Sequence, residues 1–475
     1  IAAVELSEVE TNSDLRGFVI NGVSVDDLSG WSVSSAGDVN GDGFDDLIIG
    51  APFDDPNAED AGASFVVFGK SGGAVVELSE IESNANEGGF VINGVSVDDY
   101  SGWSVSSAGD VNGDGLADLI IGAKNDDPNG ESSGASFVVF GKADGTAVEL
   151  SDIQQDSAED GFVINGITLG DYSGRSVSSA GDVNGDGLDD LIIGAPEATI
   201  FGNSQAGASY VVFGKKDGTA VELSAIETSN SGFVINGSTT SEMSGLSVSG
   251  AGDINGDGID DLIIGAYRAS NGDISMAGES FVVFGKADNI PVNLSAVETG
   301  IGGFVIKGVS AYDFSGYSVS GAGDVNGDGF DDLIIGANGD DPNASNSGAS
   351  FVVFGKTDGT AVELSTVEAG SGGFVINGVS KEDYSGKSVS SAGDVNGDGF
   401  DDLIIGAPFD DPNGLSSGAS FVVFGKADGA AVELSTVEAG TGGFVINGVS
   451  AFDQSGISVS SAGDVNGDGF DDLII

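Results

Sequence analysis

An acidic loop that recurs seven times limits what this chain of 475 residues can fold into. The first copy runs from Asp38 to Asp46 and reads Asp-Val-Asn-Gly-Asp-Gly-Phe-Asp-Asp. The other copies begin at Asp110, Asp182, Asp253, Asp324, Asp394 and Asp464, with steps of 70 to 72 residues. Self-similarity at one period is typical of a solenoid, a propeller or an array, in which each repeat is one structural unit.

Each repeat contains four short segments with the composition of β-strands. In the first repeat these segments are residues 29–36, 46–51, 63–69 and 90–94. The second segment is a continuous apolar run, as expected of a strand that is buried on both faces. A short helical turn is predicted at Leu78, where Ser79 and Glu82 have the spacing of a capping box. Four antiparallel strands with glycine-rich turns indicate a propeller blade, and seven repeats fall within the usual range of closure.

The third strand occurs six times, whereas the other three strands occur seven times. Aligned on the repeat, Ile1 matches Gly429 and Ile475 matches Ile405, so an equivalent of residues 406–428 is absent. We therefore predict one domain over residues 1–475, an all-β, seven-bladed β-propeller of four-stranded antiparallel blades with one blade lacking its third strand. Residues 17–22 are expected to close the ring beside the C-terminal blade, and the chain is expected to be a piece of a longer protein.

The composition restricts the partners of such a fold. Asp and Glu number 76 against 14 Lys and Arg, which gives a formal net charge of -62. This charge repels nucleic acid and anionic membranes and favours the binding of cations. The chain has no Cys and no His, which excludes disulfides, thiolate metal sites and the commonest general base. No apolar run has the length of a membrane span, so membrane insertion is not expected. Nucleic-acid binding is not expected either, because of the negative charge.

The acidic loop has the oxygen atoms that a hard cation requires. The five predicted ligands of the first copy are the side chains of Asp38, Asn40, Asp42 and Asp46 and the carbonyl group of Phe44. An all-oxygen set with three carboxylates suits Ca²⁺ better than zinc or copper. It also suits Ca²⁺ better than Mg²⁺, which keeps several of its waters. The loop differs from an EF-hand, because the twelfth position is Ile49 rather than Glu.

The five ligand positions recur in all copies, so we predict up to seven Ca²⁺ ions, one per repeat. The predicted ligands of the other copies are Asp110, Asn112, Asp114, Leu116, Asp118, Asp182, Asn184, Asp186, Leu188, Asp190, Asp253, Asn255, Asp257, Ile259, Asp261, Asp324, Asn326, Asp328, Phe330, Asp332, Asp394, Asn396, Asp398, Phe400, Asp402, Asp464, Asn466, Asp468, Phe470 and Asp472. The alternative is a metal-free hairpin, since Asn-Gly and Asp-Gly also form turns. Three spaced carboxylates in every copy favour the metal, in a structural rather than a regulatory role.

Residues 38–52, which read Asp-Val-Asn-Gly-Asp-Gly-Phe-Asp-Asp-Leu-Ile-Ile-Gly-Ala-Pro, resemble the FG-GAP repeat of integrin α-subunit propellers and their bacterial relatives. Gly-Ala-Pro is intact at residues 50–52, 194–196 and 406–408, whereas the Phe-Gly half is replaced by Ser-Gly. The resemblance covers the whole chain. It implies a seven-bladed propeller with calcium between the first and second strands of each blade, and a role in adhesion or scaffolding.

Antiparallel blades place their connections on two faces. The loops between second and third strands and the loops between blades lie on the face opposite the acidic loops. That face carries four Asp-Asp-Pro-Asn loops, at residues 54–57, 126–129, 340–343 and 410–413. One position there varies between repeats and is expected to ring the central channel: Trp31, Trp103, Arg175, Leu246, Tyr317, Lys387 and Ile457. A variable rim in constant surroundings is typical of a recognition surface. Packing between blades and plain solvation of the acidic loops are the alternatives.

These patterns favour an extracellular or cell-surface, calcium-binding adhesion or structural module. Its partner is expected to be a protein or glycan on the face opposite the calcium loops, and self-assembly through further repeats or copies is possible by strand addition. The alternatives are the propeller part of a secreted polysaccharide- or lipid-acting enzyme and a passive calcium-binding surface protein. No enzyme activity is predicted, because the acidic residues recur in every repeat. The segments 197–205 and 267–276 break this symmetry without forming a catalytic set.

Overall fold

The computed structural model describes residues 3–11, 17–83, 88–155 and 160–475. In these ranges the chain forms six five-stranded sheets and two separate pairs of strands. The innermost strands of successive sheets contact one another around a ring, which makes each sheet a propeller blade. The described helices are only four to six residues long, and none is long and apolar enough to cross a membrane.

Four antiparallel strands of each blade follow one another in the sequence. The first, innermost strands are Ser32–Gly37, Ser101–Gly109, Ser176–Gly181, Val248–Gly252, Ser318–Gly323 and Ser388–Gly393. The second strands are Asp46–Ala51, Asp118–Ala123, Asp190–Ala195, Asp261–Ala266, Asp332–Ala337 and Asp402–Ala407. The third strands are Ala63–Val67, Ala135–Val139, Ala208–Val212, Glu279–Val283, Ala349–Val353 and Ala419–Val423. The fourth strands are Gly89–Asn93, Gly161–Asn165, Gly232–Asn236, Gly303–Lys307, Gly373–Asn377 and Gly443–Asn447.

The fifth strand of each blade comes from elsewhere in the sequence and pairs in parallel with the fourth strand. For the first five blades it follows the third strand of the next blade, as Val148–Glu149, Val221–Glu222, Val292–Asn293, Val362–Glu363 and Val432–Glu433. For the sixth blade it is Val4–Glu5. Neighbouring blades are therefore joined by backbone hydrogen bonds as well as by side-chain packing.

The prediction of seven four-stranded blades is wrong, since the described residues form six blades of five strands. The seventh acidic loop lies in a separate pair of strands, Ser460–Gly463 and Asp472–Ile474. Ile20–Asn21 pairs only with Val76–Glu77. These segments do not combine into a sheet because no third strand lies between them to supply the missing hydrogen bonds. They nevertheless fill the gap in the ring, because strand Ser460–Gly463 contacts the innermost strands of the sixth and first blades.

A short helix precedes the fourth strand in each repeat, as the sequence predicts for residues 78–82. The helices are Leu6–Thr11, Leu78–Glu82, Leu150–Gln154, Ile226–Ser229, Leu294–Val297, Leu364–Glu368 and Leu434–Glu438, with a 3₁₀ turn at Leu223–Ala225. The predicted capping box is not formed. The second helix already begins at Leu78, and the cap residue Glu77 makes no side-chain capping bond. Burial of Leu78 and Ile81 holds this helix in place.

The hydrophobic core lies between neighbouring blades. All residues of the second strands Asp46–Ala51 to Asp402–Ala407 are buried, which confirms that these strands are covered on both faces. In the first blade, Ile48 packs with Leu119 and Phe137 of the second blade, whereas Leu47 and Ile49 face the other way. Two aliphatic faces per strand thus join each blade to both of its neighbours.

Candidate functional site

Six acidic loops connect the first strand of a blade to the second, as predicted, and the seventh connects the two strands of the separate pair Ser460–Gly463 and Asp472–Ile474. In the first copy the backbone turns at Gly41 and Gly43, whose φ angles are +75° and +91°. The carboxylate of Asp38 lies inside this turn and accepts hydrogen bonds from the amides of Gly41 at 2.7 Å, Asp42 at 3.0 Å and Gly43 at 2.9 Å. The loop at Asp324 repeats this pattern. The first ligand position thus organises the loop.

The ninth loop position links the loop to the blade. Asp46 is fully buried and accepts hydrogen bonds from the amide of Val39 at 3.0 Å and from the amide of Gly69, after the third strand, at 2.8 Å. Burial, with smaller contributions from the charges of Asp42 and Asp38, raises the pKa of Asp46 to about 7. In the third and fifth copies burial raises the pKa of Asp190 and Asp332 to about 8.

The donor chemistry of the loop fits a hard divalent cation. Each loop carries three carboxylates at its predicted ligand positions, and none of the ion pairs in the described residues involves one of them. Here Asp38 and Asp42 accept hydrogen bonds from loop amides. In the described ranges no three acidic side chains converge as a group that could hold a metal ion. The ligand set therefore stays a prediction, supported by its oxygen donors and its uncompensated charge.

Sequence reasoning missed the eighth loop position, which bridges neighbouring loops. The Asp189 carboxylate accepts a hydrogen bond from the amide of Asp110 in the preceding blade at 2.7 Å. The equivalent pairs are Asp182–Asp260, Asp253–Asp331, Asp324–Asp401, Asp394–Asp471 and Asp464–Asp45. The signal was present in the sequence, because this position is Asp in every copy except the second, which has Ala117. The eighth position is not among the five predicted metal ligands, so the metal-binding pattern did not indicate a role for it.

On the opposite face, the Asn of the Asp-Asp-Pro-Asn loops has a structural role. The side-chain amide of Asn57 donates to the carbonyl oxygen of Gly94 and to the Glu149 carboxylate, each at 2.9 Å. Glu149 belongs to the fifth strand and also accepts from Asn93 at 2.8 Å. The loops at Asn129, Asn343 and Asn413 repeat the arrangement. This Asn therefore fastens the loop to the blade edge.

A pair of buried carboxylates lies beneath these loops. Asp99 and Asp126 are 5% and 7% exposed, and Ser96 donates its amide to Asp99 at 2.8 Å. Burial raises the pKa of Asp99 to about 7, with a further contribution from the Asp126 charge, and burial raises the pKa of Asp126 to about 6. The pairs Asp27–Asp54, Asp313–Asp340 and Asp383–Asp410 are equivalent by sequence. These carboxyls are not the freely solvated surface groups that the sequence allowed.

The replacement Asp99→Asn is expected to stabilise the protein by about 1 kcal/mol or more at pH 8. The folded-state pKa of Asp99 is raised, so its protonation supports folding at low pH, and this support is lost as the pH rises from about 4 to about 7. An amide keeps the bond from Ser96 and carries no charge. Urea unfolding should therefore show a gain that grows from pH 5.5 to pH 7 and then levels. A similar gain in the exposed neighbour variant Asp98→Asn would contradict this explanation.

Six of the seven variable positions make contacts with one another or line a common cavity at the mouth of the ring, where the sequence predicts all seven. The ring centres of Trp31 and Trp103 are 4.9 Å apart, and the Arg175 guanidinium carbon lies 4.8 Å from the Trp103 centre. Lys387 donates to the Tyr317 hydroxyl at 2.6 Å. Leu246 lines a cavity of about 310 Å³ together with Arg175 and Tyr317. Ile457 makes none of these contacts. Its amide bonds to Gln454.

Comparison with known proteins gives six family matches between residues 29 and 423. The FG-GAP repeat family matches residues 29–67, 101–139, 173–212, 244–283, 315–353 and 385–423. Each match runs from the Ser-Gly at or just before the start of a first strand to the end of a third strand, and so includes an acidic loop. The seventh loop lies outside these matches.

Three relatives show the range of similarity. Integrin alpha pat-2 of Caenorhabditis elegans is 29% identical over 276 residues, which are 55% of this chain and 20% of that protein. Integrin alpha-PS5 of Drosophila melanogaster is 36% identical over 177 residues, or 37% of this chain and 16% of that protein. Phosphatidylinositol-glycan-specific phospholipase D of Dictyostelium discoideum is 28% identical over 216 residues, or 44% of this chain and 22% of that protein. The matched regions thus span about a fifth of these relatives.

Proposed function

Because this chain belongs to the FG-GAP repeat family and its propeller is similar to that of integrin α subunits, we propose that it is a calcium-stabilised adhesion or structural module of the cell surface or the extracellular space. The observation that carries the proposal is the acidic loop, which keeps the same five oxygen donors in all seven copies. Up to seven Ca²⁺ ions, one per loop, offset the carboxylate charge and hold the first and second strands together. Partners are then recognised by other surfaces of the propeller.

The partner, a protein or a glycan, binds on the face opposite the acidic loops. Most of the exposed large apolar side chains project from the loops of that face: Val25, Val97, Leu169, Phe201, Tyr312, Leu415 and Phe452. On that face the loops between blades are hydrogen-bonded to the loops between second and third strands. The Asp98 amide donates to the Glu59 carbonyl oxygen at 3.0 Å, and the Gly94 amide donates to the Gly62 carbonyl oxygen at 2.9 Å. Apolar side chains exposed on a supported, acidic surface favour a binding role.

Catalysis is not part of the proposal. The carboxylates recur from blade to blade, whereas an active site would break that symmetry. The irregular loop of the third blade closes on itself, because Gln205 donates to the Glu197 carboxylate at 3.1 Å and Ile200 bridges to Asn203. The carboxylate of Glu197 is therefore engaged within its own loop.

Equilibrium dialysis of the purified chain against Ca²⁺ tests the metal part of the proposal. The expected result is about seven bound ions, and one fewer in Asp394→Ala, because the loops bind independently. The variant Glu382→Gln removes an exposed carboxylate on the opposite face and should bind as many ions as the natural sequence. Loss of every ion in Asp394→Ala, or no binding at all, would refute the assignment.

The adhesive part requires a test in which the two faces are compared. Beads coated with the calcium-loaded chain are tested on arrays of purified cell-surface proteins and glycans. Replacing Val25, Leu169 and Phe452 together by Ser should abolish the binding. The matched control replaces Val75, Ile290 and Ile301 by Ser, three exposed apolar residues on the calcium side, and should leave binding unchanged. Loss of binding in the control variant alone would show that the ligand binds the calcium side, and would refute this part of the proposal.

A further inference from the structure

Three cations stand apart in this strongly acidic chain. Most lysines that follow a third strand are neutralised by a nearby Asp, as Lys286 is by Asp288 at 2.6 Å. Lys124, Arg175 and Lys387 come from different repeats and lie at the mouth of the ring. Within the described ranges none of the three forms an ion pair with a carboxylate.

Aromatic rings hold these cations in place. The Lys124 ammonium lies 3.8 Å from the centre of the Trp103 ring, which the Arg175 guanidinium also contacts. The Lys387 ammonium lies 4.1 Å from the centre of the Tyr317 ring. Attraction to the ring faces stabilises the cations. It does not neutralise them.

The cluster carries uncompensated positive charge in a partly closed space. Lys124 is 8% exposed, and burial together with the Arg175 charge lowers its pKa to about 8. Glu197 is the one acidic residue among those that line the cavity, against the two cations Lys124 and Arg175, and its carboxylate already accepts a bond from Gln205. An anion that enters the cavity would relieve the repulsion between two like charges on one indole ring.

The surroundings restrict the form of this anion. Trp103 is covered by Lys124, Arg175 and Trp31, so this indole offers little free face on which a sugar ring could stack. The net charge of -62 repels polyanions, including acidic polysaccharides. A single carboxylate on a narrow, projecting segment reaches the local positive charge without bringing further negative charge to the surface.

We propose that the cavity of about 310 Å³ at the mouth binds the carboxylate of an Asp or Glu side chain from a partner protein, with Arg175 and Lys124 as its ion-pair partners. The inference rests on the proposed function, which places the partner on this same face. Arg175 supplies the directional hydrogen bonds, since a guanidinium matches the geometry of a carboxylate. Lys387 adds to the positive potential from the Tyr317 side.

Tryptophan fluorescence reads this site selectively, because the chain has only two Trp residues, Trp31 and Trp103, and both lie at the mouth. The calcium-loaded chain is titrated with the capped peptide Gly-Gly-Asp-Gly-Gly and with its Asn counterpart. The Asp peptide should give a saturable change and the Asn peptide none. Arg175→Gln should weaken binding by at least about tenfold. Lys381→Gln, an exposed cation paired with Glu382, should bind as the natural sequence does.

Lys124→Gln provides a second test in case Arg175→Gln fails to fold, as judged by its melting curve. No response to the Asp peptide, an equal response to the Asn peptide, or unchanged binding in both variants would overturn the proposal. A response to oligogalacturonate alone would replace the peptide carboxylate by an acidic glycan, and so also overturn it. If the Asp peptide does not bind but the chain still binds Ca²⁺ and the coated beads still bind the arrays, only the assignment of the cavity is refuted. If the beads do not bind, the proposed function itself is refuted.

Discussion

Chelation of Ca²⁺ by excess EGTA is expected to lower the melting temperature of this propeller by at least about 10 °C. Each ion that binds only the folded state at a hundredfold excess over its Kd stabilises it by about 2.7 kcal/mol. Without the ion, the carboxylates at positions one, five and nine of each loop repel one another, and in six of the seven loops the ninth, such as Asp46, is fully buried. Removal therefore eliminates ligand stabilisation and exposes this repulsion.

Differential scanning calorimetry at pH 7.5, with calcium and with EGTA, measures the effect. Asp394→Ala in calcium should melt slightly below the natural sequence, because the other loops keep their ions. Replacing Ca²⁺ by an equal concentration of Mg²⁺ should restore little of the loss, since Mg²⁺ releases its waters reluctantly. A melting curve that does not change in EGTA would eliminate calcium as a stabilising ligand.

The replacement Gly278→Ala is expected to destabilise the fold by about 4 kcal/mol or more. Gly278 has a φ angle of +81°, and an added Cβ atom would overlap the Ser315 carbonyl oxygen and lie 2.5 Å from the Ser315 amide nitrogen. Both atoms are backbone at the start of the next blade, where the Ser315 amide donates to Ala277 at 3.0 Å. Neither can move without separating the two blades.

Gly272→Ala is the matched control for this prediction. Gly272 lies in the same loop with a φ angle of +61°, and no atom stands within 4 Å of its added Cβ. Ala at this position should therefore incur only the strain of a left-handed backbone conformation, about 1 kcal/mol. Urea unfolding in calcium compares the two variants. Equal losses would show that backbone conformation, rather than contact between blades, determines the cost at Gly278.

Much of the blade could be predicted from the sequence, because the determining signals are local. The apolar run at 46–51 and the spaced oxygens of the Asp38 loop need no distant residue to be recognised. The fifth strand escaped prediction, since two residues such as Val148–Glu149 have no periodicity and pair with a strand of another repeat. The number of blades was wrong for a related reason. The repeat without a third strand was expected to remain a blade, whereas its strands form two separate pairs.

At the candidate site, the contacts that side chains make between neighbouring loops were not predicted. Asp189 reaches the neighbouring loop, and Asp99 meets Asp126 only after two loops of adjacent blades pack together. Neither relation follows from spacing along the chain. The variable positions were found because variation among repeats is visible in one sequence. Their clustering into a cationic cavity depended on which side chains the ring brings together.

The exchanged fifth strand sets an order of assembly during synthesis. A blade such as the one at 32–93 is completed only after Val148–Glu149 has left the ribosome. Each of the first five blades therefore needs a strand from the repeat that follows it before its sheet is complete. The sixth blade differs, because its last strand is Val4–Glu5, which precedes all six blades in the sequence. This segment is synthesised before the six blades and pairs only with the last of them, so the ring is closed by a late, long-range step that a chaperone or a competing chain could intercept.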